Sequence, residues 1–505
     1  MAISVKERGL EQIVEGTGAK LFTESLKREG VKFAFGLTGG AALPFFDQAA
    51  QDRIEIIDFT YEFSAAFASE AYNQLTGIIV PVFVTSGPGA GNTVTGAMNA
   101  MKDRRGFVLF TGQVPTFAMG SDAFQEADTY NTFKPNTKAA YIITDPNQIP
   151  RIIREAFRIA GNGARGPVLV DFPKNMQFPL TGKFDFSQYF DFEPPPTRFD
   201  NTSTLETLIE VWSKAERPVL YVGGGVIASG AAPEIRYLAE VTQTPVASTV
   251  MALGTMPYNR SLYLRMLGMH GTAYANLAVD ECDLLIAVGA RFDDRVTSKV
   301  DTFAPNAKNI AHFDIEPTQI GRVMGDRTNI RIYGDAKQNL QQLIEMLGKR
   351  RFTKEKWFER VDELKKNYPL YYDPSTHDED IPVPYVVQVL GRYTKPDDIV
   401  VTDVGRHQMW AGLYFTFQEP NTHITAGGLG PMGFAIAAAI GAKKARPSKT
   451  VVAFVGDGGG RMTIMELQNS YKHGLPLKVV MADDGSQGMV RQWHEIYYDG
   501  RYVAS

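Results

Sequence analysis

Disulfide chemistry is absent from this chain: it has one cysteine, Cys282, so no intrachain bridge can form, which fits a reducing compartment. Basic runs are lacking too, and a net charge of −4 leaves no footprint for counterion release from nucleic acid. No apolar stretch is long enough to span a bilayer, and the opening Met1–Arg8 has no hydrophobic core of a secretory signal. A cytoplasmic protein without nucleic-acid or membrane partners is the expectation. Repeats and low-complexity tracts are missing as well. What is there, 505 residues with 44% apolar and 21% charged, is ordinary globular composition too long for one core, so small-molecule chemistry is the default.

Short apolar runs alternate with longer amphipathic stretches throughout, the rhythm of parallel sheets wrapped by helices. Two breaks divide it. Glu193-Pro194-Pro195-Pro196-Thr197 is a polyproline segment too stiff and donor-poor for a sheet interior, and Lys349 to about Asp380 is rich in Lys, Arg and Glu. The predicted fold class is α/β with three doubly wound parallel-sheet domains: 1–192, 193–350 and, after a charged linker at 351–380, 381–505.

Two carboxylates stand out in the third domain. The run Val451–Val455 reads as a buried strand leading into Gly456-Asp457-Gly458, and Leu477–Met481 leads in the same way to Asp483-Asp484-Gly485-Ser486. Asp457 and Asp484 are thereby delivered to the ends of adjacent strands, where open α/β sheets bind ligands. Two carboxylates with an oxygen from the loop at Ser486 and phosphate oxygens suit the octahedral preference of Mg²⁺. Both aspartates as simple turn caps is the alternative.

In the first domain, the strand Val82–Val84 runs into Thr85-Ser86-Gly87-Pro88-Gly89-Ala90-Gly91-Asn92, a glycine-rich turn that lets backbone approach a ligand. Upstream, Glu62 sits amid aromatic and small residues, where burial would raise its pKa toward that of a proton-relay carboxylate. Alone it also reads as a helix-start acid. Pro218–Val222 followed by Gly223-Gly224-Gly225 weakly suggests nucleotide binding in the central domain.

Longer motifs name a family. Thr111–Thr116, Asp122–Asp128, Gly166–Lys174, Met266–Gly271, Arg291–Val296 and Gln487–Trp493, together with GDG and the acid 27 residues on, resemble the large catalytic subunit of acetohydroxyacid synthase, also called acetolactate synthase, across all three domains. The resemblance implies thiamine diphosphate (ThDP), Mg²⁺ and FAD as cofactors. Glu62 matches the catalytic glutamate that hydrogen-bonds the cofactor's aminopyrimidine and promotes loss of the thiazolium proton. The ThDP set it implies adds Thr85, Pro88, Asn92, Gln125, Val404, Gly405, His407, Gln408, Gly430, Met432, Asp457, Gly458, Gly459, Gln487, Gly488 and Met489, with Met432 propping the cofactor by bulk. A methionine beside glycines is otherwise core filling. Metal ligands are Asp457, Asp484 and Ser486.

For FAD the resemblance implies Arg165, Gly223, Gly224, Gly225, Thr249, Val250, Met251, Leu267, Gly268, Met269, His270, Gly289, Ala290, Arg291, Asp293, Arg295, Val296, Asp314, Ile315 and Asp335. Arg295 as a surface ion-pair partner of Asp293 is the plainer reading. Phe124, Gln125, Lys174, Met269, Met489, Val490 and Trp493 match the family's substrate channel, Trp493 favouring 2-ketobutyrate over pyruvate as second substrate.

Departures from the family pattern are Tyr61 and Phe63 flanking Glu62, Leu37-Thr38 before Gly39, Gly458-Gly459-Gly460-Arg461 after Asp457, Asp484 in place of an amide, Arg165 displaced by one position, and an end at Ser505 that makes the third domain look truncated. The activity implied is decarboxylation of pyruvate and carboligation to a second 2-keto acid, giving 2-acetolactate or 2-aceto-2-hydroxybutyrate, by a homodimer or homotetramer with a possible small regulatory subunit. The alternatives are a related FAD- and ThDP-dependent lyase or hydrolase on another keto acid or dione, and a weakly active regulatory paralogue.

Overall fold

The computed structural model describes residues 13–186, 199–373 and 380–505. Met1–Arg8, the polyproline segment Glu193–Thr197 and residues 374–379 of the charged stretch lie outside the described residues. The chain forms two compact units interleaved in sequence: Met1–Pro195 with Gly428–Ala453 and Gly458–Val479, and Pro196–Gly427 with Phe454–Asp457 and Val480–Ser505.

The first unit is built on a six-stranded parallel sheet in the order Glu55–Asp58, Phe33–Gly36, Val80–Val84, Phe107–Gln113, Val168–Pro173, Ala139–Ile142. The central strands are wholly buried and mostly apolar, as strands covered on both faces must be, with Thr111, Gln113 and Asp171 as buried polar exceptions that bond to one another. On one face Phe22, Phe45, Phe83, Phe110 and Phe172 form an aromatic core, with Phe22 and Phe110 edge-on at 4.8 Å. On the other lies the helix Glu62–Thr76, against which the helix Phe434–Ala445 packs. Phe434 through Ala442 are all buried, and a helix apolar on every side needs a partner on every side. For that reason the 381–505 stretch contributes to both units. The contact is close: a Cβ at Gly441 would fall 1.9 Å from the Ala68 carbonyl oxygen.

The second unit contains a six-stranded parallel sheet in the order Tyr263–Met266, Val246–Ser248, Pro218–Val222, Leu284–Val288, Asn309–Asp314, Ile330–Tyr333. Residues 351–380, expected as a charged linker, carry the helix Glu355–Asn367 instead. Its charges face outward, while Trp357, Val361 and Leu364, spaced four and three apart, are buried on one stripe and the Trp357 indole donates to the Pro218 carbonyl at 3.0 Å. A further sheet of four strands runs His423–Thr425, Ile399–Thr402, Val451–Gly456, Lys478–Ala482, so the two strands expected to deliver Asp457 and Asp484 are neighbours. Among the described residues no helix is long and apolar enough to cross a membrane.

Candidate active site

Glu62 is the first residue of its helix and is 6% exposed. Its Oε2 accepts a hydrogen bond from Asn92 Nδ2 at 2.9 Å, which joins two residues of the implied ThDP set. Asn92 closes the short helix Pro88–Asn92 that follows the glycine turn. Glycine is required there twice. Gly87 has φ +50°, and a Cβ on it would lie 2.5 Å from the Gln125 carbonyl; a Cβ on Gly89 would lie 3.3 Å from Glu62 Oε1 and 2.8 Å from Thr85 Cγ2. Thr85 Oγ1 is buried with no hydrogen-bond partner among the described residues. A buried carboxylate, an orphaned hydroxyl and side-chain-free backbone beside them suit a polar heterocycle such as an aminopyrimidine.

The loop carrying Phe124 and Gln125 is braced from below. Glu126 accepts from the amides of Gly120 and Ala123, and Gln113 Nε2 donates to the Ala127 carbonyl and to Asp171, each at 3.0 Å. Phe124 itself projects into solvent, 89% exposed. Lys174 begins the turn Lys174–Gln177 after the Val168–Pro173 strand. Arg165 approaches Gly77, with Nη2 3.4 Å from where a Cβ would stand. Gly430 has φ +72°, Met432 is half-buried next to it, and Gly458 and Gly459 lie in the helix Asp457–Thr463. These residues belong to the first unit.

The remaining ThDP and metal candidates lie in the second unit. His407, in the helix Arg406–Tyr414 that Gly405 caps, is edge-on to Phe454 at 5.5 Å. Burial, only partly offset by Asp484, pushes its imidazole down to about 4, so it is neutral, and its Nε2 has no partner among the described residues. Gln408 is occupied structurally, donating to Thr425 Oγ1 at 2.7 Å and to the Ala426 carbonyl at 3.3 Å, and the Val404 amide donates to Asp403 at 2.8 Å. Asp457 directly follows its strand and is buried. Asp484 forms an ion pair with Arg406, a residue outside the implied ThDP and metal sets, and accepts from the Ser486 amide at 3.1 Å and hydroxyl at 3.0 Å. Burial opposes its ionisation, but Arg406 and Ser486 outweigh that and hold the carboxyl below its ordinary range. Two oxygen-bearing acids and a serine are donors of the kind Mg²⁺ takes, with Arg406 as a competing cation on one of them. Gln487 caps the helix Gly488–Tyr497, which carries Met489, Val490 and Trp493.

In the same unit the glycines of the central domain are explained by backbone crossing. A Cβ on Gly223 would meet the Gly289 carbonyl at 2.3 Å, and one on Gly225 would meet Gly289 Cα at 2.6 Å, so the turns leaving the Pro218–Val222 and Leu284–Val288 strands rest directly on each other. Ala290 lies in that crossing, and Met251, flanked by Val250, packs over Gly224. Gly268 (φ +105°) packs on the Arg295 carbonyl, which also accepts the Met269 amide at 2.7 Å, and Asn276 pairs with both backbone groups of Gly268 at 3.0 Å. Asn276 escaped the sequence reading because it carries no motif.

Asp293 caps a helix by accepting the Arg295 amide at 3.1 Å, while the Arg295 guanidinium lies 3.9 Å from Met269 Sδ and 5.7 Å over the Trp493 ring. The plainer ion pair between Asp293 and Arg295 is therefore not formed. His270 is depressed by burial and then by Arg295. Thr249 Oγ1 is buried without a partner among the described residues; Leu267 is buried and Ile315 39% exposed. Asp314 accepts the Glu316 amide at 2.9 Å, and Asp335 caps the helix Ala336–Leu347 through the Gln338 amide at 3.0 Å. Arg291 lies on the loop between the Leu284–Val288 strand and the helix Asp294–Thr297, and Val296 lies in that helix.

Three sheets, a buried strand-to-helix glutamate and a GDG helix define a thiamine pyrophosphate enzyme, and three family models match along the chain: the N-terminal TPP binding domain at residues 16–132, the central domain at 205–343 and the C-terminal TPP binding domain at 403–505. More narrowly, the chain belongs to the acetolactate synthase large-subunit family. It is 41% identical to the acetolactate synthase large subunit of Corynebacterium glutamicum over 96% of this chain and 78% of that protein. The large subunit from Lactococcus lactis subsp. lactis is 41% identical over 96% of this chain and 84% of its own length. Acetolactate synthase 1, chloroplastic, from Zea mays is 41% identical over 95% of this chain and 75% of that protein.

Proposed function

We propose that the chain catalyses formation of 2-acetolactate and CO₂ from two molecules of pyruvate, and of 2-aceto-2-hydroxybutyrate and CO₂ from pyruvate and 2-ketobutyrate, at the entry to branched-chain amino acid synthesis. The observation that carries this reading is the buried Glu62 with its Asn92 donor, in a chain related over nearly its whole length to acetolactate synthases. ThDP, when bound, supplies the carbon that accepts the electrons released as CO₂ leaves.

The protein's own residues do the rest. Glu62 holds and returns a proton at its carboxyl, and Asn92 keeps one of its oxygens fixed by donating to it. Thr85 and the Gly87–Gly89 turn shape the pyrimidine end. Asp457, Asp484 and Ser486 would hold Mg²⁺, and the glycine crossing with Met251, Gly268, Arg291 and Arg295 would hold FAD. Gln125, Lys174, Met489 and Trp493 would line the approach of the keto acids. Relatives named as large subunits support a small regulatory partner, and we read the catalytic assembly as a homodimer or homotetramer. A single cysteine supports a reducing compartment, which we take to be the cytoplasm. The domain division at 1–192, 193–350 and 381–505 is proposed alongside.

Acetolactate measured from pyruvate with and without ThDP, Mg²⁺ and FAD tests the reading. Activity should require ThDP and Mg²⁺, and Glu62→Gln should lower it by about 10²- to 10⁴-fold, the range of a general acid–base relay. Glu62→Gln activity within a factor of two of wild type would overturn the assignment.

A further inference from the structure

The loop between the Glu55–Asp58 strand and the Glu62–Thr76 helix is gripped by a segment some four hundred residues further on. Glu466, fully buried, accepts hydrogen bonds from the Thr60 amide at 3.1 and 3.0 Å and from the Tyr61 amide at 3.2 Å. Asn469 Nδ2 donates to Glu466 Oε2 at 2.8 Å and to Thr60 Oγ1 at 3.1 Å, tying the acceptor to the loop it holds. At the other end of the loop, Lys472 Nζ donates to both oxygens of Asp58 at 2.8 and 2.7 Å, and His473 Nε2 lies 2.6 Å from Asp58 Oδ1. Burial works against ionisation of Asp58, yet these cationic and polar partners prevail and hold its carboxyl below the usual range.

Tyr61 occupies the N-cap position of the Glu62–Thr76 helix but makes no side-chain cap bond; its ring stacks on Phe63 instead. The Glu466 carboxylate accepts from the amides of the N-cap residue Tyr61 and of Thr60 before it, bracing the entry to the helix from outside, and its negative charge complements the positive end of the helix dipole. Bonds from amides to a buried carboxylate are the stronger, charge-assisted kind. The next residue in the chain is Glu62, whose Cα–Cβ direction follows from the backbone at Thr60 and Tyr61.

We propose that Glu466 is a positioning residue for Glu62: it fixes the last two amides before the helix and thereby the direction in which the Glu62 carboxyl is presented. The proposal rests on the proton-relay reading of Glu62. Displacing a reacting group by about an ångström commonly costs on the order of 10²-fold in rate, so a loosened clamp should be visible in turnover.

The test is Glu466→Gln, which keeps shape and one carbonyl acceptor but loses the charge and the second oxygen. Its kcat for acetolactate formation should fall about tenfold while KM for pyruvate stays within about twofold. In the protein without cofactor, hydrogen–deuterium exchange read by mass spectrometry over residues 56–64 should show the Thr60 and Tyr61 amides exchanging about tenfold faster. Unchanged exchange at those amides, or kcat within twofold of wild type, overturns the proposal. Should Glu466→Gln melt far below wild type, Asn469→Ala carries the same exchange measurement: faster exchange at Thr60 and Tyr61 supports the clamp and unchanged exchange overturns it. The exchange arm needs neither cofactor nor product, so it judges the clamp even where Glu62→Gln remains active and the reading of Glu62 falls.

Discussion

Trp493 shows how a single side chain carries a specificity prediction. It is 39% exposed on the Gly488–Tyr497 helix, edge-on to Tyr497, and the Arg295 guanidinium stands over its ring at 5.7 Å. An indole held by a cation on one face presents a fixed apolar wall. One methylene in an apolar pocket is worth about 1–3 kcal/mol, a factor of about 5 to 150. Trp493→Leu should therefore lower the preference for 2-ketobutyrate over pyruvate several-fold while acetolactate formation continues; competition between the two acids, read as the product ratio, checks this, and an unchanged ratio removes Trp493 from the role of selector. Glu62 and Trp493 were both legible as residues in the sequence, the first from an acid set among aromatics and the second from its motif. Asn92 and Arg295 were named from the resemblance too, but their pairing with these two residues was not legible. Asn92 donating to Glu62 and Arg295 covering Trp493 join positions 30 and 198 residues apart, and only the fold brings such groups into contact.

At the scale of elements, the strands behave as their composition requires. Val80–Val84 and Leu284–Val288 are continuous apolar runs, and Phe107–Gln113 and Val168–Pro173 are largely so; all four are wholly buried, the mark of parallel strands covered on both sides. Helix packing is more demanding. The Phe434–Ala445 helix lies on Glu62–Thr76 so closely that any Cβ at position 441 meets the Ala68 backbone. An alanine there adds about 1 kcal/mol of helix propensity, but its Cβ would press on the Ala68 backbone carbonyl, and overpacking of this kind costs about 1–3 kcal/mol. Since backbone cannot swing aside as a side chain can, the clash should prevail. Gly441→Ala is expected to lose about 1–2 kcal/mol of stability, measured as a lowered denaturation midpoint; a midpoint at or above wild type would show that the two helices separate easily. The 351–380 stretch teaches a related lesson. Its charges suggested a solvated connector, whereas the three apolar residues on one stripe of Glu355–Asn367 decide its structure.

The stability of the whole molecule should carry the imprint of Asp171. This carboxyl, 1% exposed within the Val168–Pro173 strand, accepts from Thr111 Oγ1 at 2.6 Å and Gln113 Nε2 at 3.0 Å. Burial nevertheless raises its pKa to about 7, with Asp128 adding to the rise. An unfolded carboxyl titrates near about 4, so between about pH 4 and pH 7 the folded chain keeps a proton that the unfolded chain has released. Unfolding then gives up a proton, and stability falls as pH rises through that window by about 1.4 kcal/mol per unit, levelling off above it. Asp171→Asn cannot titrate. Whatever its absolute stability, its denaturation midpoint relative to wild type should climb between pH 5 and pH 7; a constant difference across that range would mean that Asp171 ionises normally in the folded protein.

Local pattern alone determined a good deal of this protein: the apolar runs that become strands, the glycine turns that follow them, the strand-end positions of Asp457 and Asp484, and the family membership carried by contiguous motifs. Each of these depends on neighbours within a few residues, where periodicity and steric freedom act directly. Tertiary structure alone decided that Glu466 grips the amides of Thr60 and Tyr61 across 406 and 405 positions of sequence, that Arg406 pairs with Asp484 across 78, and that the Phe434–Ala445 helix joins the unit of Glu62. A buried carboxylate needs donors, and an all-apolar helix needs cover, but composition does not say which distant backbone or face will supply them. That choice is made by the packing of the whole chain, because only there do shape and hydrogen-bond complementarity between remote segments meet.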